Sequence, residues 1–466
     1  MDYALALLPV AVVMFALVLA RTPVWAAALL GFAAALVQLI PDESGISQVE
    51  WDKGASLLLI AALVVVPGLA LNGVLKLREV HGQLADWVHA VPLSTPWKTC
   101  LIVLGIGPAL ESLTGFGISL LATVPVLLAM APPGTAVRQA VLGMAIVPWG
   151  ALALPTKIGA GLSGFSPSEL GVRTAFVYLL LMPVVGGLAT ALGEGGPGAL
   201  HRGGPGAVCG LAQALVLVAA NAWEHTVIIA GVLAGAVVSV LVLLPALVRR
   251  AVPPLPGPVL VPYTAILATV VLARALRLEV CVPVGGESIP LLTSPGLGLV
   301  VALLTLLRRG TGRTAARAAW SSWRPLCAIG GFVLMAEVMR SMNAFEALTA
   351  GLTGAVDPVL AVLSPVMALV SGFLTGSATS ANAFMMKPQD SLGDAAGLGA
   401  LPATVQNAGA GIAMLASLPT ASLVLSVAGL SGRKAERELV AFDLRLLGVF
   451  AVLLVGVFAV AALTVR

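Results

Sequence analysis

This chain has little charge. Of 466 residues 10% are Asp, Glu, Lys or Arg and 59% are hydrophobic, with a mean hydropathy of +1.05. A soluble domain is about a quarter charged, so this chain cannot cover itself with polar surface in water, and a soluble globular class is excluded. Aromatic residues are sparse at 5%, and no basic stripe is interleaved with them, so nucleic acid is not expected as a partner. Cys100, Cys209, Cys281 and Cys327 stand singly, as do His81, His89, His201 and His225, without the spacing of a metal site; no metal or bound cofactor is expected. A Walker-type phosphate loop, a Gly-x-Ser-x-Gly elbow and a His-Glu-x-x-His helix are all missing, so the chain reads as a non-enzyme.

What the chain does have is long apolar runs interrupted by 51 glycines and 31 prolines. The runs are too long for the alternating strands of a membrane barrel, and helices in a bundle tolerate Gly and Pro. The expected fold is an all-α polytopic membrane protein of about 12–14 transmembrane helices, with lipid around it. The N-terminal run, Met1 to Ala20, lacks a basic flank and is followed at once by Thr22–Ile40, which reads as a retained helix pair.

Loop charges set the orientation. Arg308, Arg309, Arg313, Arg317 and Arg324, with no acid among them, mark a cytoplasmic loop, whereas Asp42, Glu43, Glu50 and Asp52 mark an outer one. The helix after the outer loop therefore runs inward and the helix after the arginines runs outward. The regions that follow them share three tripeptides in the same order. Leu113-Thr114-Gly115, Leu154-Pro155-Thr156 and Leu162-Ser163-Gly164 recur as Leu374-Thr375-Gly376, Leu418-Pro419-Thr420 and Leu430-Ser431-Gly432. Opposite flanking polarity makes this an inverted-topology repeat with broken helices, the architecture in which secondary transporters build a site that opens to either side. The expected division is 1–54 helix pair, 55–192 first repeat, 193–307 connecting and scaffold helices, 308–442 second repeat and 443–466 terminal helix.

Pro108, Gly115 and Gly117 should unwind the first break, leaving Thr114, Gly115, Phe116 and Gly117 as ligand-facing backbone, with the start of the resuming helix a seat for a carboxylate. Glu111 is the ionisable group in that stretch, and a carboxyl at this depth can take up and release protons or else hold the hairpin together by hydrogen bonds. The second break offers Thr375, Gly376, Ser377, Thr379, Ser380 and Asn382, more polar side chains than helix packing needs. Two further unwound segments are expected at Pro148–Lys157 and Gln406–Thr420. They bring in Asn407 and Lys157, a cation that either neutralises a substrate carboxylate or snorkels to the interface.

These segments resemble the bacterial L-lactate permease family. Leu110–Gly117 is similar to its Leu-Glu-Gly-Ala-Ala-Gly-Phe-Gly segment, Phe373–Ala383 to its Phe-Leu-Thr-Gly-Ser-Asp-Thr-Ser-Ser-Asn-Ala segment, Asn407–Pro419 to its Asn-Thr-Thr-Gly-Gly stretch, and Leu430–Glu436 to its Gly-Leu-Val-Gly-Lys-Glu ending. The resemblance implies proton-coupled uptake of L-lactate or a related small 2-hydroxy monocarboxylate across the bacterial cytoplasmic membrane. It also implies an elevator-type scaffold with a moving transport unit, and a homodimer. Three departures stand out: Ala378 replaces an aspartate of the family pattern, Leu415 replaces a lysine, and the chain is short for the family. A sodium-coupled carrier for another organic anion is the alternative, with a passive anion channel third.

Overall fold

A computed structural model describes residues 3–40, 47–115, 117–193, 202–276, 278, 280–284, 287–292, 294–308, 310–344, 357–430 and 433–465. These are almost entirely helical. In chain order they form α1 (Tyr3–Val18), α2 (Val24–Leu39), α3 (Trp51–Leu77), α4 (Val80–Ala90), α5 (Thr95–Cys100), α6 (Gly107–Thr114), α7 (Ile118–Leu128), α8 (Pro133–Leu142), α9 (Gly150–Ser163), α10 (Pro167–Leu192), α11 (Gly204–Asn221), α12 (Ala230–Val248) and α13 (Gly257–Ala275). A short antiparallel pair, β1 (Cys281–Val284) and β2 (Glu287–Pro290), separates these from α14 (Pro295–Leu306), α15 (Gly312–Trp320), α16 (Trp323–Ser341), α17 (Asp357–Thr375), α18 (Ala378–Ala396), α19 (Leu401–Ala413), α20 (Leu418–Val427) and α21 (Arg433–Val465).

Among the described residues six helical stretches are long and apolar enough to cross a membrane: Trp51–Leu77, Pro133–Ser163, Pro167–Leu192, Gly204–Asn221, Val227–Val248 and Lys434–Thr464. A seventh arises if the bent pair Leu401–Ala416 and Leu418–Val427, which meet at 46°, is one span. Several other apolar helices, including Ile118–Leu128 and Val359–Thr375, are too short for that test, as halves of interrupted segments would be. Most of these stretches are buried over half or less of their apolar window, leaving a face for lipid, but Pro133–Ser163 is 94% buried. That interrupted segment therefore runs through the middle of the protein.

Leu334 packs on Gly54 and Leu58 on Gly330, so α3 and α16 run antiparallel, as the loop charges require. Gly73, near the other end of α3, meets Thr314 and Ala318 of the arginine-bearing α15. Lys76, Arg78, Arg313 and Arg317 thus share one end of the molecule, the end that the sequence expectation assigns to the cytoplasm. At the opposite end Arg340 pairs with Glu50 at 3.1 Å and with Glu337 at 2.9 Å.

At the end that carries these basic residues α4 packs on α7, which packs on α8. His81, in the first turn of α4, is 6% exposed and its Nε2 has no hydrogen-bond partner among the described residues. Burial disfavours its charged form and pushes its pKa down to about 4.

Candidate functional site

The first break begins where α6 ends. Thr114 turns its hydroxyl back onto the Leu110 carbonyl (2.7 Å), and Gly115 follows at φ +70°, its N–H donating to the Glu111 carbonyl at 2.7 Å. A side chain on Gly115 would put its Cβ 2.5 Å from the Ala151 Cβ, so glycine is needed both for the backbone angle and for the close approach. After Gly117 (φ +72°) the chain resumes as α7, which packs back on α6. Phe116 lies outside the described residues.

A carboxylate does sit on the start of α7, and it belongs to Glu111. Its Oε1 accepts from the Gly117 N–H at 3.1 Å; its Oε2 accepts from the Ser119 hydroxyl at 2.8 Å and from the Ser119 N–H at 3.4 Å. The amides that the sequence offers to a ligand are thus occupied from within, because unpaired first-turn N–H groups and the helix dipole favour the nearest anion. Glu111 is 1% exposed.

The second break has the same form with a neutral cap. The Thr375 hydroxyl donates to the Ser371 carbonyl at 2.8 Å, Gly376 takes φ +61°, and the half-buried Ser377 caps α18 by accepting from the Ser380 N–H at 3.3 Å. A Cβ on Gly376 would lie 2.9 Å from Cγ of Pro419. In each half, then, the Leu-Thr-Gly break is pressed onto the Leu-Pro-Thr break that follows it.

An irregular stretch precedes each Leu-Pro-Thr segment; in the second half it is narrower than the expected Gln406–Thr420, because Leu401–Ala413 stays helical and the break is confined to Met414–Ser417. Gly143–Trp149 is a tighter 3₁₀ helix, and the three residues Ala151, Leu152 and Ala153 then take left-handed angles (φ 47°, 58° and 60°) before α9 proceeds through Pro155. Left-handed backbone costs an L-residue roughly 1–2 kcal/mol, so a run of three persists only because its surroundings hold it. Thr156 donates to the Pro148 carbonyl (2.7 Å) and Tyr178 to the Ala145 carbonyl (2.9 Å), which satisfies groups the break releases. In the other half Met414–Ala416 is 3₁₀, Ser417 caps α20 by accepting from the Thr420 N–H (3.3 Å), and the Thr420 hydroxyl donates to the Met414 carbonyl (2.9 Å). Threonine bridges both gaps.

The four breaks enclose one cavity of about 190 Å³. Gly115, Gly117, Gly150, Ala151 and Pro155 line it from one half of the chain, Gly376, Ser377, Thr379, Pro419 and Thr420 from the other, with Glu111 as its charged group among the described residues. Gly117 approaches Leu423 across this boundary. Asn382 and Asn407 stand beside the cavity as a fastener between the halves. The Asn382 amide donates to the Pro155 carbonyl (2.9 Å) and to Oδ1 of Asn407 (2.8 Å); the Asn407 amide reaches the hydroxyls of Thr156 (3.1 Å) and Thr174 (2.9 Å). Thr114 and Ser380 are buried behind the lining.

Residues 287–465 match the L-lactate permease family. The match agrees with the resemblance read from the sequence, and that family is one of membrane transporters. It covers β2 and α14 to α21, hence the whole second half of the cavity wall: Gly376, Ser377, Thr379, Pro419 and Thr420. The comparison with curated proteins finds no match.

Lys157 does not join the central cavity. It lines a second space of about 310 Å³ with Lys53, Leu57, Phe165 and Ser294. Two residues along a helix turn a side chain by about 200°, so Pro155 facing the central cavity sends Lys157 to the opposite face. The sequence passed over Ser119, whose hydroxyl completes the Glu111 cap, and the left-handed turn Ala151–Ala153. Pattern signals neither of them.

Proposed function

We propose that this chain is a secondary active transporter that carries L-lactate, or a related small 2-hydroxy monocarboxylate, across the bacterial cytoplasmic membrane together with protons. The observation that carries the reading is a small cavity between four helix breaks whose charged group is one carboxyl. Ser377, Thr379 and Thr420 offer hydroxyls, and the starts of α18 and α20 offer amides and a positive dipole end to an anion. Gly115 and Gly117 form the facing wall, backed by Thr114, with Asn382 and Asn407 holding it in place; Lys157 adds positive potential from the neighbouring cavity.

Glu111 supplies the coupling. Two like charges about 5 Å apart at an effective dielectric near 20 repel by roughly 3 kcal/mol, so an ionised Glu111 disfavours a second carboxylate on the order of a hundredfold. Protonating Glu111 removes that repulsion and loosens its hold on Gly117 and Ser119. Proton and anion then favour each other's binding by the same factor, which is the thermodynamic content of symport. Breaks built in opposite senses in two inverted halves give alternating access around this position.

The test is uptake of labelled L-lactate by purified protein in liposomes. An inward proton gradient should drive saturable accumulation, and Glu111→Gln should abolish it while sparing counterflow exchange. Accumulation driven by sodium at fixed pH would replace this reading with the sodium-coupled one, and transport without saturation or counterflow would make the chain a passive path.

A further inference from the structure

The last helix carries a second buried acid. Along α21 the inward stripe is Leu439, Asp443, Leu446, Phe450, Leu454, Phe458 and Ala462, all buried, and Asp443 is 0% exposed. Neither carboxyl oxygen of Asp443 has a hydrogen-bond partner among the described residues. An acid placed in an apolar seam without donors costs stability, and a structural role would be filled better by leucine.

Asp443 has one cation at hand. It is Arg138, on α8, whose guanidinium lies 5.5 Å from the ring centre of Phe442, the residue before Asp443. Among the described residues the other elements packed on α21 add no charge nearby. Residues 401–427 contain none, and α17 has only Asp357, its first residue. On α10, Glu169 and Arg173 pair with each other at 3.1 Å. They lie about 24–30 Å from the Ala189 end, which accepts a hydrogen bond from Gln139 beside Arg138. On α21 itself Lys434, Glu436, Arg437, Glu438 and Arg445 are exposed.

Arg138 lines a cavity of about 320 Å³ on the cytoplasmic side, with Val137, Leu425, Lys434, Glu438 and Leu439; Asp443 lies one turn deeper than Leu439. The cavity's other walls lead to the central site. α20 lines the inner cavity at Leu425 and the central one at Pro419, Thr420 and Leu423, and α8 continues into Met144 and Val147 of the central lining.

We propose that Asp443 is a proton-exchanging carboxyl that acts with Arg138 as a charge latch on the cytoplasmic side of the central site. With its proton on, Asp443 rests in the seam as found. When the O–H bond breaks and the proton passes to water in the inner cavity, the carboxylate pairs with Arg138 and draws α8 against α21. The transport role of this latch rests on the function proposed above; the proton exchange does not.

Infrared difference spectra of purified protein between pH 5 and 9 test it. Wild type should show a pH-dependent carboxylic acid band that Asp443→Asn lacks and Asp443→Glu retains at altered frequency, and Arg138→Gln should shift its midpoint. In liposomes Asp443→Asn should keep counterflow and lose the dependence of transport on internal pH, whereas Asp443→Glu keeps both. Identical spectra for wild type and Asp443→Asn, or an unchanged internal-pH dependence in Asp443→Asn, would overturn the latch. Absence of counterflow in wild type would refute the transport reading alone, with the spectra still deciding proton exchange.

Discussion

Replacing Gly115 with alanine tests whether the two breaks of the first half are locked together. At φ +70° an alanine pays roughly 1 kcal/mol for left-handed backbone. Its Cβ would also stand 2.5 Å from the Ala151 Cβ and 3.0 Å from the Ala151 nitrogen, and the residue that would have to move is itself the first of three left-handed residues. Relieving such an overlap in a packed interior costs typically 1–3 kcal/mol, so Gly115→Ala should lose about 2–4 kcal/mol in total. Gly164→Ala is the matched control: Gly164 has φ +73°, but a Cβ there meets nothing within 4 Å, and only the backbone part of the cost should appear. Unfolding in mixed micelles, followed by tryptophan fluorescence, should rank wild type above Gly164→Ala and Gly164→Ala well above Gly115→Ala. Equal losses for the two variants would refute the claim that Gly115 is held against the Ala151–Ala153 turn.

Other consequences follow from single interactions. Between pH 6.5 and about 4 the unfolded chain binds a proton that buried His81 refuses, so stability should fall with pH across that window by up to about 3 kcal/mol, and His81→Leu should flatten this dependence in thermal unfolding measured from pH 7 to 4.5. Asn407→Ala removes contacts to Asn382, Thr156 and Thr174 and leaves buried polar partners behind; an unfolding loss of roughly 3 kcal/mol is expected, and a loss below about 1 kcal/mol would mean the halves are not fastened there. Ser377→Ala should cost about 1 kcal/mol of stability as a lost helix cap and should raise the lactate concentration for half-maximal counterflow, a combination that a cap without a ligand role would not give.

The helix breaks were legible because Pro, Gly and clustered hydroxyls cannot be accommodated in an uninterrupted apolar helix, and the antiparallel pairing of α3 with α16 was legible from loop charge. Less could be read of what fills the breaks. Which acceptor caps α7 depends on the turn at Gly115–Gly117 bringing Glu111 back over it, and no spacing rule contains that turn. Ala151, Leu152 and Ala153 are ordinary helix formers whose left-handed angles are imposed by tertiary contact. Lys157 stood out by its nearness in sequence to Pro155, yet helical rotation sends the two to different cavities. Asp443 sits close after the charged residues that open the last helix, and its place in the series Leu439, Leu446, Phe450 marks it as inward-facing.

The central claim is that the two sets of breaks enclose a common seat for a small carboxylate, and it is tested most directly by ligand protection of that seat. In protein with Cys100, Cys209, Cys281 and Cys327 replaced, Thr379→Cys places a thiol in the cavity wall and Trp320→Cys places one on the exposed surface, where Trp320 is 78% exposed. L-Lactate should slow alkylation of the thiol at 379 in a saturable way and leave that at 320 untouched. An alkylation rate at 379 that L-lactate and glycolate both leave unchanged would contradict the account.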